Sequence, residues 1–145
     1  MYLLDTNVLS MLDLRRQPHA PALIAWLTRN GASLFLSVLT ITEMDAGVLK
    51  LRREGKDQRA DEIAAMVSAI LTDFSDRILP IDLETARHVA RMGELTYQQP
   101  VALADLIIAG SAARHGLIVL TRNLREFSRL GVTAVDPFVE LPADG

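Results

Sequence analysis

The chain has 145 residues, of which 50% are hydrophobic, and its formal net charge is −3. This length is enough to bury one sizeable core and hardly two, so we expect a single domain to carry the whole function. The absence of cysteine excludes disulfide bonds and thiolate zinc sites. The negative balance excludes a general electrostatic attraction to nucleic acid, so any such contact needs local basic patches.

Five short apolar runs alternate with longer segments of helical periodicity; in chain order they are MYLL, LFLSVL, RILPI, LIVL and VTAV. This alternation predicts an α/β fold with a central parallel sheet of five strands flanked by helices. The helical segments begin near Thr6, Ala20, Thr40, Asp57, Leu83, Leu103 and Leu124. Gly31, Gly55 and Gly116 stand where three of these helices would end. We assign residues 1–141 to one domain and expect residues 142–145 to form a flexible tail.

The N-terminal stretch MYLLDTNVLS lacks the basic start and the long apolar run of a signal peptide. Acidic residues also interrupt each of the longest apolar stretches before it reaches the length of a membrane span. These residues are Asp5, Asp13, Glu43 and Asp105. We therefore expect a soluble, cytoplasmic protein with no membrane partner.

The sequence leaves two interpretations open for each of two groups of basic residues and for one apolar group. The basic groups are Lys50, Arg52, Arg53, Lys56 and Arg59, and then Arg122, Arg125 and Arg129. Each could be a solvated helix face or could contact RNA. The apolar group, Val8, Met11 and Leu12, could be core or a surface for a partner. By contrast, Trp26 shares a helix face with Leu23 and Leu27, which predicts a core position.

Acidic residues follow the strands at positions that a parallel sheet brings to one edge. Asp5 comes directly after MYLL, and Glu43 is expected in the first turn of the helix after LFLSVL. Because strand carboxyl ends and crossover-helix N-termini lie at the same edge, these two carboxylates should be neighbours. Asp105, at the start of LADLIIAGSAARHG, and Asn123 with Glu126, after LIVLT, should reach the same edge, where ligand sites of open α/β sheets form.

Each acid also has a structural explanation. Asp105, the one charged residue between Glu94 and Arg114, could be stabilised by the positive N-terminus of its helix. Thr40 and Glu43 have the spacing of a capping box, in which Glu43 would bond to the Thr40 amide. Asp82 precedes LETARHVARM and is better explained as an N-cap than as a ligand.

Carboxylates that converge on one partly buried spot repel one another, and a divalent cation relieves that repulsion. The three histidines, His19, His88 and His115, have no metal-binding spacing. Ligands that are all oxygen suit Mg²⁺ or Mn²⁺ rather than Zn²⁺. Such a cation can activate water and hold a phosphodiester in line, so the expected reaction is metal-assisted phosphodiester hydrolysis.

Four stretches, LLDTNVLS, SVLTITEM, ALADLIIAGSAARHGL and LTRNLREF, resemble the motifs of PIN-domain ribonucleases, and most of all VapC-type toxins. The resemblance runs in family order from Tyr2 to Phe127. It implies a PIN-like sheet flanked by helices, a homodimer, an RNA substrate, and a VapB-like antitoxin whose C-terminal segment covers the active site. It also implies that Asp5, Glu43 and Asp105 bind the metal, with support from the following side chains: Thr6, Asn7 and Thr121.

The sequence departs from the simplest family pattern at the fourth acidic position, where it has Asn123. The resemblance favours Glu126 as the fourth acid, with Asn123 as its neutral helper. Two other functions remain as alternatives. One is a catalytically silent PIN-like module that binds antitoxin or RNA. The other is a phosphatase or response-regulator-like protein, which would need a lysine after the last strand, whereas no lysine follows Lys56.

Overall fold

Five parallel strands form one sheet in the computed structural model, which describes residues 1–144. The strands are β1 (Tyr2–Leu4), β2 (Leu34–Ser37), β3 (Ile78–Leu79), β4 (Ile118–Leu120) and β5 (Ala134–Val135). Their spatial order is β3-β2-β1-β4-β5, and each of the four pairings is parallel. The expected α/β fold with a five-stranded parallel sheet is confirmed, and all five apolar runs contain a strand.

Strand β1 is central and contributes side chains to a core layer on each face of the sheet. Leu3 packs into one layer, with residues of the helices near the C-terminus. Tyr2 and Leu4 pack into the other, together with Trp26, which is 1% exposed. Successive side chains of a strand point to opposite faces, so a strand buried on both sides is apolar at every position. This is why MYLL shows no alternation of polar and apolar residues.

Seven helices cover the two faces within the described residues 1–144. They are α1 (Thr6–Leu9), α2 (Pro21–Arg29), α3 (Val38–Arg53), α4 (Asp57–Asp73), α5 (Leu83–Leu95), α6 (Leu103–His115) and α7 (Leu124–Arg129). Single turns of 3-10 helix cover Ser10–Leu12, Gln17–His19 and Gly31–Ser33. Six of the seven starts lie within one residue of the expected position, and α3 is the exception because it begins two residues before Thr40.

Two of the three expected helix-ending glycines act as such. Gly116 is the C-cap of α6 with a φ of 63°, and Gly55 follows α3 with a φ of 74°, both in the left-handed region that glycine adopts without strain. The expectation for Gly31 was wrong. Helix α2 ends at Arg29 with Asn30 as its C-cap, and Gly31 instead begins a 3-10 turn.

The apolar group near the N-terminus is mostly core. Val8 is 0% exposed and Met11 6%, and Leu12 is partly buried against the same layer. The segment expected to form a flexible tail begins with two bonded residues. The Pro142 carbonyl accepts a hydrogen bond of 2.9 Å from Trp26 Nε1, and the Ala143 carbonyl accepts one of 2.8 Å from the Tyr2 hydroxyl. These bonds extend the packed chain past residue 141; the last residue, 145, lies outside the described residues.

Within residues 1–144, every helix is too short or too polar to cross a membrane.

Candidate active site

The candidate site lies at the carboxyl edge of the sheet, where the order of the strands reverses. From β1 the chain adds β2 and β3 on one side and then β4 and β5 on the other. Ligands of open parallel sheets bind in the crevice that this reversal creates between neighbouring strands. Asp5 follows β1, and Thr121, Arg122 and Asn123 follow β4, so both segments open onto this crevice.

Asp5 is the most strongly fixed carboxylate of the site. The residue is 9% exposed and is the N-cap of α1, where its Oδ1 accepts a bond of 2.7 Å from the Thr6 amide. Its Oδ2 accepts bonds of 2.7 Å from Asn7 Nδ2 and 2.7 Å from the Thr121 hydroxyl. Three donors thus hold this carboxylate in a single orientation.

The Thr121 hydroxyl connects the segments after β1 and β4. It is fully buried, donates to Asp5, and accepts from Asn7 Nδ2 at 3.2 Å and from the Asn123 amide at 3.0 Å. A hydroxyl has one donor and two acceptor sites, so its bonding capacity is used completely. Asn7 Oδ1 also accepts from the Arg122 amide at 3.2 Å. The expected supporting residues Thr6, Asn7 and Thr121 all lie at the site.

Glu43 lies in the second turn of α3 and is exposed. Its Oε2 accepts a hydrogen bond from the Thr6 hydroxyl, which places it beside the segment that carries Asp5. The expectation of a first-turn position was wrong, and so was the capping-box alternative. Ser37 caps α3 through a bond of 3.2 Å from the Leu39 amide, because the helix begins directly where β2 ends.

Asp105 is the third residue of α6 and is partly buried. Its Oδ2 accepts a bond of 3.1 Å from Asn123 Nδ2, so the lone charge of this apolar helix has a polar partner. Burial raises the pKa of Asp105 above its ordinary value of 3.8, and the negative charges of Asp5, Glu126 and Glu43 raise it further. The other acids of the site are therefore close enough to oppose the ionisation of Asp105.

Asp5, Thr6, Glu43 and Asp105 line one open pocket. We call this the acidic pocket; its remaining lining residues are Asn7, Ser10, Arg16 and Asn123. Among residues 1–144, no three acidic or histidine side chains stand in the arrangement of a complete metal-binding group. The oxygen atoms around the pocket nevertheless belong to carboxylate, hydroxyl and amide groups, and the charges of the other acids add to the burial that raises the pKa of Asp105, which fits a hard divalent cation rather than zinc.

Comparison with known proteins identifies the family. The model of the PIN domain family matches residues 2–132. The chain belongs to the PIN domain family. Toxin FitB of Neisseria gonorrhoeae is 35% identical over 141 residues, covering 95% of this chain and 99% of that protein. The VapC ribonuclease Y4jK of Sinorhizobium fredii is 30% identical over 141 residues, covering 95% of this chain and 98% of that protein.

A solved structure shares the PIN fold over nearly the whole chain. The crystal structure of FitAcB from Neisseria gonorrhoeae superposes with a TM-score of 0.79 at 30% sequence identity. The match covers 95% of this chain and 99% of that one. All four stretches that resemble the family motifs lie within the residues that the PIN domain model matches. The PIN-like fold expected from those stretches is therefore confirmed.

Asn123 and Glu126, the two residues expected at the fourth acidic position, have different surroundings in this PIN domain. Asn123 lines the acidic pocket and donates to Asp105. Glu126, in the first turn of α7, accepts a bond of 2.6 Å from Arg129 Nη1 while still opposing the ionisation of Asp105. Arg129 also donates to the carbonyl of Gln99, so the guanidinium that binds the Glu126 carboxylate is itself fixed in place.

Two residues of the acidic pocket, Ser10 and Arg16, were not expected from the sequence of this PIN domain. Ser10 follows α1, and Arg16 lies in the polar stretch between α1 and α2, where no sequence pattern distinguishes a functional basic residue from one in a solvated loop.

Many of the basic residues that the sequence singled out are paired with acids. Arg52 pairs with Asp61 at 2.8 Å, and Lys56 pairs with Glu54 at 2.8 Å.

Asp82 takes the structural role that its sequence context indicates. Its Oδ1 accepts a bond of 2.8 Å from the Thr85 amide, which caps α5. That bond, together with the nearby charges of Arg114 and His115, lowers the pKa of Asp82. The residue is an N-cap and does not line the acidic pocket.

Proposed function

We propose that this PIN domain is a metal-dependent endoribonuclease and the toxin of a toxin–antitoxin pair of the VapBC type. The observation that carries the proposal is the acidic pocket, in which Asp5, Glu43 and Asp105 meet at the strand reversal of the sheet. The names of the relatives, a toxin and a VapC ribonuclease, support RNA as the substrate. The response-regulator-like alternative has no support in a chain of the PIN domain family.

Asp5, Glu43 and Asp105 would hold Mg²⁺ or Mn²⁺. Burial raises the pKa of Asp105, and the negative charges of Asp5, Glu126 and Glu43 raise it further, which is a repulsion that a bound cation would relieve. When bound, such a cation lowers the pKa of coordinated water and neutralises charge on a phosphodiester.

The remaining groups orient these acids. The Thr121 hydroxyl and Asn7 amide fix Asp5, and the Thr6 hydroxyl fixes Glu43. Asn123 orients Asp105 through its side-chain amide. We assign Glu126 the part of a fourth acid that adds negative charge at the rim, with Asn123 as its neutral helper. Fixed side chains keep a site close to its productive geometry, so these supporting bonds should affect the rate of cleavage.

The proposal includes a cellular context. We propose a cognate VapB-like antitoxin, because the chain covers 99% of a relative that is named a toxin. The homodimer and the cytoplasmic location are proposed from the resemblance of the sequence motifs to VapC-type toxins. An antitoxin that covers the acidic pocket would keep the enzyme inactive until the pair separates.

The test is RNA cleavage by purified, antitoxin-free protein. With Mg²⁺ or Mn²⁺ we expect discrete cuts in a total RNA pool, located by sequencing the new 5′ ends. EDTA should stop cleavage, and both Asp5→Asn and Glu43→Gln should abolish it. Asp45→Asn is the control, because Asp45 is an exposed acid of α3 outside the pocket. Cleavage that survives both EDTA and Asp5→Asn would overturn the metal-dependent mechanism.

One observation favours a second candidate, a catalytically silent module that binds antitoxin or RNA. The fourth acidic position holds the neutral Asn123, and the nearby Glu126 is bonded to Arg129. Such a module would bind RNA or antitoxin but leave the RNA pool intact at every Mg²⁺ and Mn²⁺ concentration. The cleavage assay therefore separates the two candidates.

A further inference from the structure

Arg16 stands where the acidic pocket meets a second cleft. The second cleft lies beside α3 and α4 and shares Thr6, Ser10 and Arg16 with the acidic pocket. We call it the basic cleft, because four basic residues line it against two acids. The basic ones are Arg16, Lys50, Lys56 and Arg59, and the acids are Asp13 and Glu54. Lys56 pairs with Glu54 and Arg59 pairs with Asp13, so the excess positive charge of the cleft comes from Arg16 and Lys50.

Among the described residues that line the acidic pocket, Arg16 is the one that carries a positive charge. Its Nη1 donates a bond of 2.9 Å to the Ser10 hydroxyl, which fixes the guanidinium at the pocket rim. Arginine presents five N–H donors in a planar fork, and this single bond leaves most of them available.

The charge of Arg16 is only weakly compensated. Its Nε lies 3.8 Å from Asp13 Oδ2, whereas the same carboxylate accepts two bonds from Arg59 and one of 3.2 Å from the Arg15 amide. The Arg16 side chain is 54% exposed and that of Arg59 is 23% exposed. Arg59 is therefore bonded to Asp13, whereas Arg16 is exposed and has N–H donors available for a ligand.

We propose that Arg16, held by Ser10, binds a phosphate of the RNA strand next to the scissile one and directs that strand into the basic cleft. This inference rests on the proposed ribonuclease function. Three carboxylates repel the RNA backbone, so a site of this kind needs a cation at its rim that does not compete for the metal. A guanidinium fork matches two phosphate oxygens, which a lysine point charge does not. Arg16 is then a substrate-binding residue of the reaction.

The adjacent Arg15 provides a matched control. Its side chain is 59% exposed and pairs with Glu62 at 2.7 Å, and it lines neither the acidic pocket nor the basic cleft. Arg15→Gln and Arg16→Gln remove the same charge from neighbouring positions. Any difference between them in RNA binding therefore reports a contact and not the net charge of the protein.

The experiment measures the binding of a fluorescein-labelled, random-sequence, single-stranded RNA pool by fluorescence anisotropy over a series of KCl concentrations. All proteins carry Asp105→Asn, so that the RNA stays intact. Losing one phosphate contact should reduce the slope of log affinity against log salt by about 0.7 for Arg16→Gln. Arg15→Gln should keep the parent slope. Arg16→Lys should also keep the parent slope, because the positive charge at the pocket rim remains.

Cleavage gives a second measurement in proteins that retain Asp105. We expect Arg16→Gln to lower kcat/KM on the order of tenfold, mainly through KM, because the contact is made before and during the reaction. Equal salt slopes for the two glutamine variants, in a protein whose parent cleaves RNA, would overturn the Arg16 subsite and leave the proposed function standing. A parent that neither binds nor cleaves the pool would overturn both.

Discussion

Replacing Asp105 by asparagine distinguishes a metal-binding carboxylate from one that only stabilises the N-terminus of α6. Asparagine keeps the shape of the side chain and can still accept the 3.1 Å bond from Asn123 Nδ2. What changes is the charge, which faces Asp5, Glu43 and Glu126. In metal-free buffer at neutral pH, we expect the variant to be at least as stable as the parent.

The magnitude follows from the charges around Asp105. Each facing acid repels the Asp105 carboxylate by about 0.5 to 1 kcal/mol, for separations of about 4 to 8 Å in a water-like dielectric. The positive helix N-terminus offsets about 0.3 to 1 kcal/mol of this repulsion. The pKa of Asp105 is raised, so repulsion and burial exceed the favourable interactions. A net gain of about 1 kcal/mol corresponds to a melting temperature higher by roughly 2 to 4 °C for a chain of this size.

Adding Mg²⁺ should reverse the order of stability of the two proteins. At a hundred times its dissociation constant the ion stabilises the parent by about 2.7 kcal/mol, whereas the variant lacks one ligand and should gain much less. Thermal melts of both proteins in EDTA and in a Mg²⁺ series measure the two effects.

Glu84→Gln is the matched control, because Glu84 lies in the first turn of α5, is 50% exposed and contacts Arg87 instead of other acids. It should lose about 0.3 to 1 kcal/mol through the helix dipole and respond to Mg²⁺ as the parent does. If Asp105→Asn behaves in the same way, less stable in EDTA and equally stabilised by Mg²⁺, the metal-site assignment of Asp105 is refuted.

Three further predictions concern stability, the site and assembly. Arg59→Gln should cost about 1 to 3 kcal/mol at neutral pH. Arg59 lowers the pKa of Asp13, so this stabilisation is present above pH 3.8 and is lost as the pH falls through the lower folded pKa; melts of parent and variant should converge there. Thr121→Val should slow RNA cleavage and lower the melting temperature, because Asp5 loses a buried donor; an unchanged rate would contradict its orienting role. Light scattering should show a homodimer, and a monodisperse monomer at high concentration would count against it.

Much of the fold was predictable because its signals are local. Each apolar run is short, and a helix begins soon after each of the first four, so the order of strands and helices follows from the sequence pattern. Helix starts at Thr6, Leu83 and Leu103 were predicted for the same reason. The start of α3 was not, since Ser37 ends β2 and caps α3 at once, leaving no loop between them. That overlap displaced Glu43 from the first turn to the second.

The candidate site was predictable where a residue type and the parallel-sheet geometry suffice. Asp5 follows the first strand and Asp105 begins an apolar helix, so the shared carboxyl edge brings them together from any sequence of this pattern. Parts of the site depend on contacts between distant segments. The bond from Thr121 to Asp5 joins residues 116 positions apart, and the bond between Arg129 and Glu126 depends on where α7 packs.

The sequence by itself determined the alternation of strands and helices. It also determined that the candidate metal ligands are all oxygen atoms, and at which edge of the sheet the acidic residues lie. The tertiary structure decided which side chains form hydrogen bonds with these acids and which basic residue lines the acidic pocket. Arg15 and Arg16 are identical neighbours in the sequence, yet Arg15 pairs with Glu62 on α4 while Arg16 lines the acidic pocket. The turn between α1 and α2 sets these directions through its packing against distant residues, and a local pattern carries no information about that packing.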